Sequence, residues 1–85
     1  MWNVYILKCA DDTLYVGSTN KLEKRLHEHN NLKNGAHYTK IRRPVLLVYT
    51  EEYETLREAR RREAEIKKWT RYKKFQLIKN KDKYK

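Results

Sequence analysis

Glu63 interrupts an apolar stripe. From Leu56 onward, Leu56, Ala59, Glu63 and Ile66 fall at steps of three and four, the spacing that places residues on one face of a helix. A carboxylate among apolar neighbours loses hydration and needs a cation or hydrogen-bond donors in its place. An arginine can serve, and so can a divalent metal ion. The plainer alternative is a salt-bridged glutamate at the helix rim, since glutamate is rarely buried. Glu58 and Glu65 lie off the stripe among arginines, which marks Glu63 as the unusual one.

Arg25 and His29 are four residues apart in a stretch of helical periodicity, so they project from one side. Arginine suits bidentate phosphate binding, and histidine can relay a proton or hold a phosphate oxygen. The competing reading is an exposed polar face, with His27 and His29 as ordinary surface residues. Tyr5 and Tyr15 fall in two neighbouring β-type segments. Buried tyrosines usually supply aromatic area with a tethered hydroxyl. A phenol with pKa ~10 is a poor base at neutral pH unless nearby positive charge lowers it.

The elements that must position these residues follow from local pattern. Residues 2–8 are apolar and β-rich on both parities, as in a central strand buried on two faces. Ala10, Asp11, Asp12 and Thr13 supply a turn, and Leu14 to Gly17 the second strand of a hairpin. Gly17 is one of two glycines, which points to a close backbone approach or an unusual dihedral. Ser18, Thr19 and Asn20 offer N-caps for a helix over about 21–31, with Leu22 and Leu26 on its apolar side. Residues 34–39 read as a loop closed by Pro44, and 45–50 as a third strand. Thr55 and Glu58 have capping-box spacing, so a helix starts there and runs to about Trp69. Thr70 caps a last helix over about 71–79, with Tyr72, Phe75, Leu77 and Ile78 as its apolar content. The expected fold is α+β: a three-stranded antiparallel-type sheet flanked by three helices in the order β-β-α-β-α-α. One domain occupies 1–79, and 80–85 form a basic polar tail.

The 85 residues are enough for one small domain with a modest core. Seven tyrosines and two tryptophans argue for a folded chain despite 38% charged residues. A lone Cys9 excludes an internal disulfide and fits a reducing compartment. No apolar run approaches the ~20 residues of a membrane span, and the first residues lack signal-peptide character. The expectation is a cytoplasmic monomer with no membrane attachment.

The formal net charge is +10, and it is unevenly spread. Residues 1–55 carry 8 basic and 7 acidic side chains, whereas 56–85 carry 13 and 4. Such a basic segment attracts polyanions and gains affinity by releasing counterions from phosphates. Arg60, Arg61, Lys67, Lys68, Arg71, Lys73 and Lys74 are the candidate nucleic-acid contacts. A solvated, solubilising helix face is the competing reading, and pattern alone leaves open whether Trp69 and Tyr72 stack on bases or fill the core.

Val4-Tyr5, then Tyr15-Val16-Gly17 after nine intervening residues, then Arg25, His29 and Glu63, resemble the GIY-YIG nuclease superfamily. The likeness runs from Trp2 to about Ile78 and is strongest with its small standalone single-domain bacterial members. It departs at Asn3, where glycine is usual, and Asn80 is the candidate for an asparagine found beyond the glutamate. Asparagine enters unusual dihedrals more readily than most residues. The resemblance implies endonuclease chemistry on DNA, in preference to RNA, with one Mg²⁺ or Mn²⁺ on Glu63. It implies Arg25 as the phosphate clamp, Tyr5 or Tyr15 positioning or deprotonating the attacking water, and His29 assisting. Gly17 would let the strands approach closely. No base readout is evident, so structure- or damage-directed repair is the implied setting, with a protein partner as a further source of specificity. Two other classes stay open: a non-catalytic basic nucleic-acid-binding module on the same fold, and a small adaptor that docks a protein.

Overall fold

The structure is a computed structural model that describes residues 1–31 and 37–83. β1 (Trp2–Lys8) is the middle strand, between β2 (Leu14–Thr19) and β3 (Leu46–Tyr53), and both pairings are antiparallel. The continuous apolar character of β1 has its cause here. Val4, Tyr5, Ile6 and Leu7 are all buried because helices cover both faces of the sheet.

The helices are α1 (Leu22–Asn31), the four-residue α2 (His37–Lys40), α3 (Leu56–Lys67) and α4 (Arg71–Lys83). The α+β architecture with three longer helices is the expected one, and α2 is an added single turn. Residues 34–36 of the expected loop lie outside the described residues, while His37–Thr39 belong to α2. α4 runs past the expected end at 79. Capping follows the sequence: Glu58 N donates to Thr55 Oγ1 and Lys73 N to Thr70 Oγ1, each at 3.2 Å.

Two apolar layers result. Val4, Ile6, Val16, Tyr49, Ala59 and Ile66 form one with α3, backed by Trp69, Leu77 and Ile78. Tyr5, Leu7, Cys9 and Val45 form the other, against Leu22 and Leu26 of α1. Strand alternation decides which side chain enters which layer.

Several local expectations change. Ser18 belongs to β2 and does not cap α1; Thr19 Oγ1 accepts from Lys21 N at 3.1 Å instead. β3 lies at the sheet edge, so its early residues Leu46 and Leu47 are exposed although apolar. Leu56, at the first turn of α3, is exposed, and so is Tyr72 on α4. Trp69 packs on the core, with Arg62 Cζ 4.9 Å and Lys73 Nζ 4.4 Å from its ring centroid. Asn3 pairs with Thr19 in regular strand geometry, and Asp12, at φ 67° in the β1–β2 turn, is the non-glycine residue with positive φ among those described.

Candidate active site

Tyr5 is the hub. It sits on β1 beside β2, in register with Gly17, so both residues face the α1 layer. The Tyr5 hydroxyl lies against the Gly17 backbone, and a Cβ at position 17 would stand 2.6 Å from Tyr5 Cζ. Gly17 has no positive φ. Glycine is needed here for the close approach and not for its dihedral freedom.

The buried Tyr5 hydroxyl is 2.9 Å from His29 Nε2, and His29 Nδ1 is 2.8 Å from Thr39 Oγ1. His29 and Thr39 are both fully buried. Burial foremost, then the Arg25 and Arg43 charges, pulls the imidazole down to about 4, so it is neutral at physiological pH. A neutral imidazole has one donor and one acceptor nitrogen. The Arg25 guanidinium is also hydrogen-bonded to Tyr5, and a guanidinium can only donate. The neutral ring carries one N–H, so two proton orders satisfy every group: Tyr5 donates to Nε2 and Nδ1–H donates to Thr39 Oγ1, or Nε2–H donates to Tyr5 and Thr39 Oγ1 donates to Nδ1. Burial and neighbouring Tyr15 push the Tyr5 phenol up to about 12, against the lowering effect of Arg25.

Tyr15 stands on β2 with its ring centroid 5.0 Å from His29 and 6.4 Å from Tyr5, and it is half-buried. Arg25 also pairs with Glu28 at 3.2 Å. Its pKa is raised, with burial opposing and the bonds to Glu28 and Tyr5 driving the rise. Arg25 lines an open cavity of about 140 Å³ at the start of α1, together with Thr19, Asn20, Lys21, Lys24 and Glu28. Three of those six side chains are cationic, so the cavity wall is electropositive.

Glu63 arrives from the opposite layer. α3 packs on the Val4–Val16 face, and Ser18 Oγ, beside Gly17 in β2, donates to Glu63 Oε1 at 2.5 Å. Lys67 Nζ pairs with Glu63 Oε2 at 2.6 Å. The carboxylate charge is close enough to raise the Tyr5 pKa. The chain therefore brings Tyr5, Tyr15, Arg25 and His29 into one linked group, while Glu63, bonded to Ser18 in the other layer, reaches that group only through its charge on Tyr5. No group of three or more His, Cys, Asp or Glu side chains able to hold a metal occurs among the described residues. One hard carboxylate still fits a Mg²⁺-type ion, which keeps most of its waters and takes substrate phosphate oxygens as further ligands.

The candidate phosphate-binding cations lie mainly on the surface of α3 and α4. Arg60, Arg61, Lys67, Lys68, Arg71 and Lys73 are exposed, and Lys74 is half-buried. Some are engaged internally: Arg71 donates to Asp12 O at 2.7 Å, and Lys67 is held by Glu63. Arg71 and Lys74 line a cleft of about 200 Å³ with Thr13 and Leu14. Asn80 is exposed on α4. Arg62 instead belongs to a structural cluster. It donates to Glu51 Oε1 at 2.9 Å and pairs with Glu65 at 2.7 Å, while the Tyr49 and Tyr53 hydroxyls also bond Glu51.

Sequence reasoning missed Ser18, Thr39, Glu28 and the Lys67 pairing. Lys67 had a local signal, since it is four residues beyond Glu63 on one helix. Ser18 and Thr39 had none, because their partners are distant in the chain.

Residues 1–76 match the family described as the GIY-YIG catalytic domain. A UPF0213 protein of Syntrophus aciditrophicus is 58% identical over 76 residues, covering 89% of this chain and 87% of its own length. Another, from Clostridium perfringens, is 59% identical over 78 residues, covering 92% and 83%. Two solution NMR structures are similar. The UPF0213 protein BH0048 from Bacillus halodurans has a TM-score of 0.61 at 40% identity, over 95% of this chain and 86% of that one. The protein EF2693 from E. faecalis has a TM-score of 0.63 at 45% identity, over 92% and 82%.

Proposed function

From the premise that this chain belongs to the GIY-YIG family, among its small UPF0213 members, we propose that it hydrolyses DNA phosphodiester bonds as a metal-dependent endonuclease. The nuclease domain implies nucleic-acid binding, and nucleases of this family generally use divalent metal ions. The observation that carries the reading is the Tyr5–Arg25–His29 group, seated on Gly17 and adjoining the Ser18–Glu63 bond at one edge of the sheet.

In this reading Arg25 binds the scissile phosphate from its cationic cavity and stabilises the charge that develops there. Tyr15, on the more open side, orients or deprotonates the attacking water. Tyr5 is a positioning residue: its buried hydroxyl holds the guanidinium and is itself tied to His29. His29 and Thr39 hold Tyr5 in turn. Glu63 would carry the Mg²⁺ or Mn²⁺, whose contribution when bound is Lewis-acid stabilisation of phosphate and leaving-group charge.

Arg60, Arg61, Lys68, Lys73 and Lys74 supply sequence-independent contacts to the nucleic-acid backbone. That favours recognition of DNA structure or damage over a base code, with a protein partner as the other source of specificity. The test is nicking of supercoiled plasmid in Mg²⁺ or Mn²⁺. The parent nicks, and Glu63→Ala and Arg25→Ala lose activity while keeping their circular dichroism. Salt-sensitive DNA affinity without nicking under any divalent ion would make the protein a binding module and overturn the hydrolase.

A further inference from the structure

The carboxylate of Glu63 is held from two sides by groups of different kind. From β2, Ser18 Oγ donates to Oε1 at 2.5 Å, across 45 positions of sequence. From one turn further along α3, Lys67 Nζ pairs with Oε2 at 2.6 Å. The Glu63 side chain is 18% exposed and that of Lys67 52% exposed, so the hydroxyl holds the carboxylate from inside and the ammonium from the solvent side. A hydroxyl is a neutral donor, so in this pair of contacts the charge of Glu63 is balanced by Lys67. Arg62, the neighbouring cation on α3, is committed to Glu51 and Glu65.

We propose that Lys67 is a cationic placeholder on Glu63: its ammonium occupies the carboxylate oxygen that a divalent ion would take, so loading the site exchanges one cation for another while Ser18 keeps the carboxylate oriented. This rests on the reading of Glu63 as the metal ligand. Lysine is suited to the exchange. Its charge is compact, it sits on a flexible four-carbon stem, and its side chain is already half exposed, so the ammonium can swing toward water. An arginine fork at this position would hold the carboxylate in two-point geometry and resist displacement. The arrangement keeps a half-buried carboxylate aimed, with a counter-charge beside it, when no ion is present. The consequence is a weaker intrinsic metal affinity, because the ammonium competes for the same oxygen.

The experiment is Mn²⁺ binding to the full chain without DNA, followed by electron paramagnetic resonance, for the parent, Lys67→Met, Lys67→Gln, Ser18→Ala and Glu63→Gln. Both Lys67 variants are expected to bind Mn²⁺ about five-fold more tightly than the parent. Ser18→Ala is expected to bind more weakly, with the charge unchanged. Nuclear magnetic resonance supplies a second readout, in which the Lys67 side-chain signals move toward their solvent-exposed values as Mg²⁺ is added. Parent-like or weaker Mn²⁺ affinity in both Lys67 variants overturns the placeholder, as does a Lys67 signal indifferent to Mg²⁺ that binds. Unchanged Mn²⁺ affinity in Glu63→Gln instead overturns Glu63 as the ligand, so the two failures are distinguishable.

Discussion

Tyr5 and Gly17 face each other across the β1–β2 pair so closely that a methyl group on residue 17 would overlap the phenol ring, 2.6 Å from Cζ. Tyr5 is 2% exposed and bonded to His29, so the ring has no room to retreat. Gly17→Ala is therefore expected to destabilise the protein by about 1–3 kcal/mol, the usual cost of overpacking. It should also move the Tyr5 hydroxyl off His29. Urea unfolding measures the first effect, and a lost or shifted His29 ring signal the second. A variant of parental stability would mean that the strands separate easily here.

The Tyr5–His29–Thr39 chain makes two substitutions equivalent in kind. Tyr5→Phe leaves the buried Nε2 without its partner, and Thr39→Val leaves the buried Nδ1 without its own. Each is expected to cost about 1–3 kcal/mol. The double variant should cost less than the sum, since the two share one ring. Nitrogen NMR of His29 separates the two proton orders: a proton on Nδ1 makes Tyr5 a donor to the ring, and a proton on Nε2 makes Thr39 the donor.

Acid stability carries a His29 signature. Burial and the Arg25 charge place its folded pKa at about 4, below the ordinary 6.5. Between those values the unfolded chain binds a proton that the folded chain refuses. The contribution is thus complete above about pH 6.5 and is lost as pH falls toward 4, at most about 3 kcal/mol. Unfolding free energies of the parent and His29→Gln, compared across that window, should converge as pH drops. Parallel profiles would refute the assignment.

Arg25→Lys separates charge from geometry. Lysine keeps the positive charge but cannot make the fork that meets Tyr5, Glu28 and a phosphate together. Activity of Arg25→Ala is expected to fall by roughly two to three orders of magnitude, with Arg25→Lys recovering part of that loss. Plasmid nicking rates provide the comparison, and a fully active lysine variant would remove the bidentate role.

Glu51 gathers Arg62, Tyr49 and Tyr53 on the α3 face, and its carboxyl is held below the usual range, although burial opposes this, by the bonds from Arg62 and the two phenols. Glu51→Gln is expected to lower stability by roughly 2 kcal/mol, since Arg62 loses its half-buried partner. The Tyr5–His29 signals should be unaffected, because the cluster lies in the other layer.

Much of this architecture is legible in local pattern. The unbroken apolar run of β1, the Thr55–Glu58 cap and the stripe through Ala59 and Ile66 all work over a few residues, where backbone geometry alone relates side chains. Such rules identified the strands, the three longer helices, and Glu63 as a carboxylate out of place. They failed for Leu46, Leu47 and Tyr72, because apolar type does not say whether a neighbouring layer exists to cover a residue.

Tertiary structure decided the partners. Ser18 reads as a helix cap and instead holds Glu63 across the β2 edge; Thr39 reads as loop and instead completes the hydrogen bonding of His29. Arg25 and Glu63 come from opposite layers and both act on Tyr5, an arrangement that depends on strand parity and helix placement together. Residue types and spacing determined which groups could do chemistry. Which groups meet, which proton goes where and which charge is screened follow from packing, because hydrogen bonds and desolvation act through space and not along the chain.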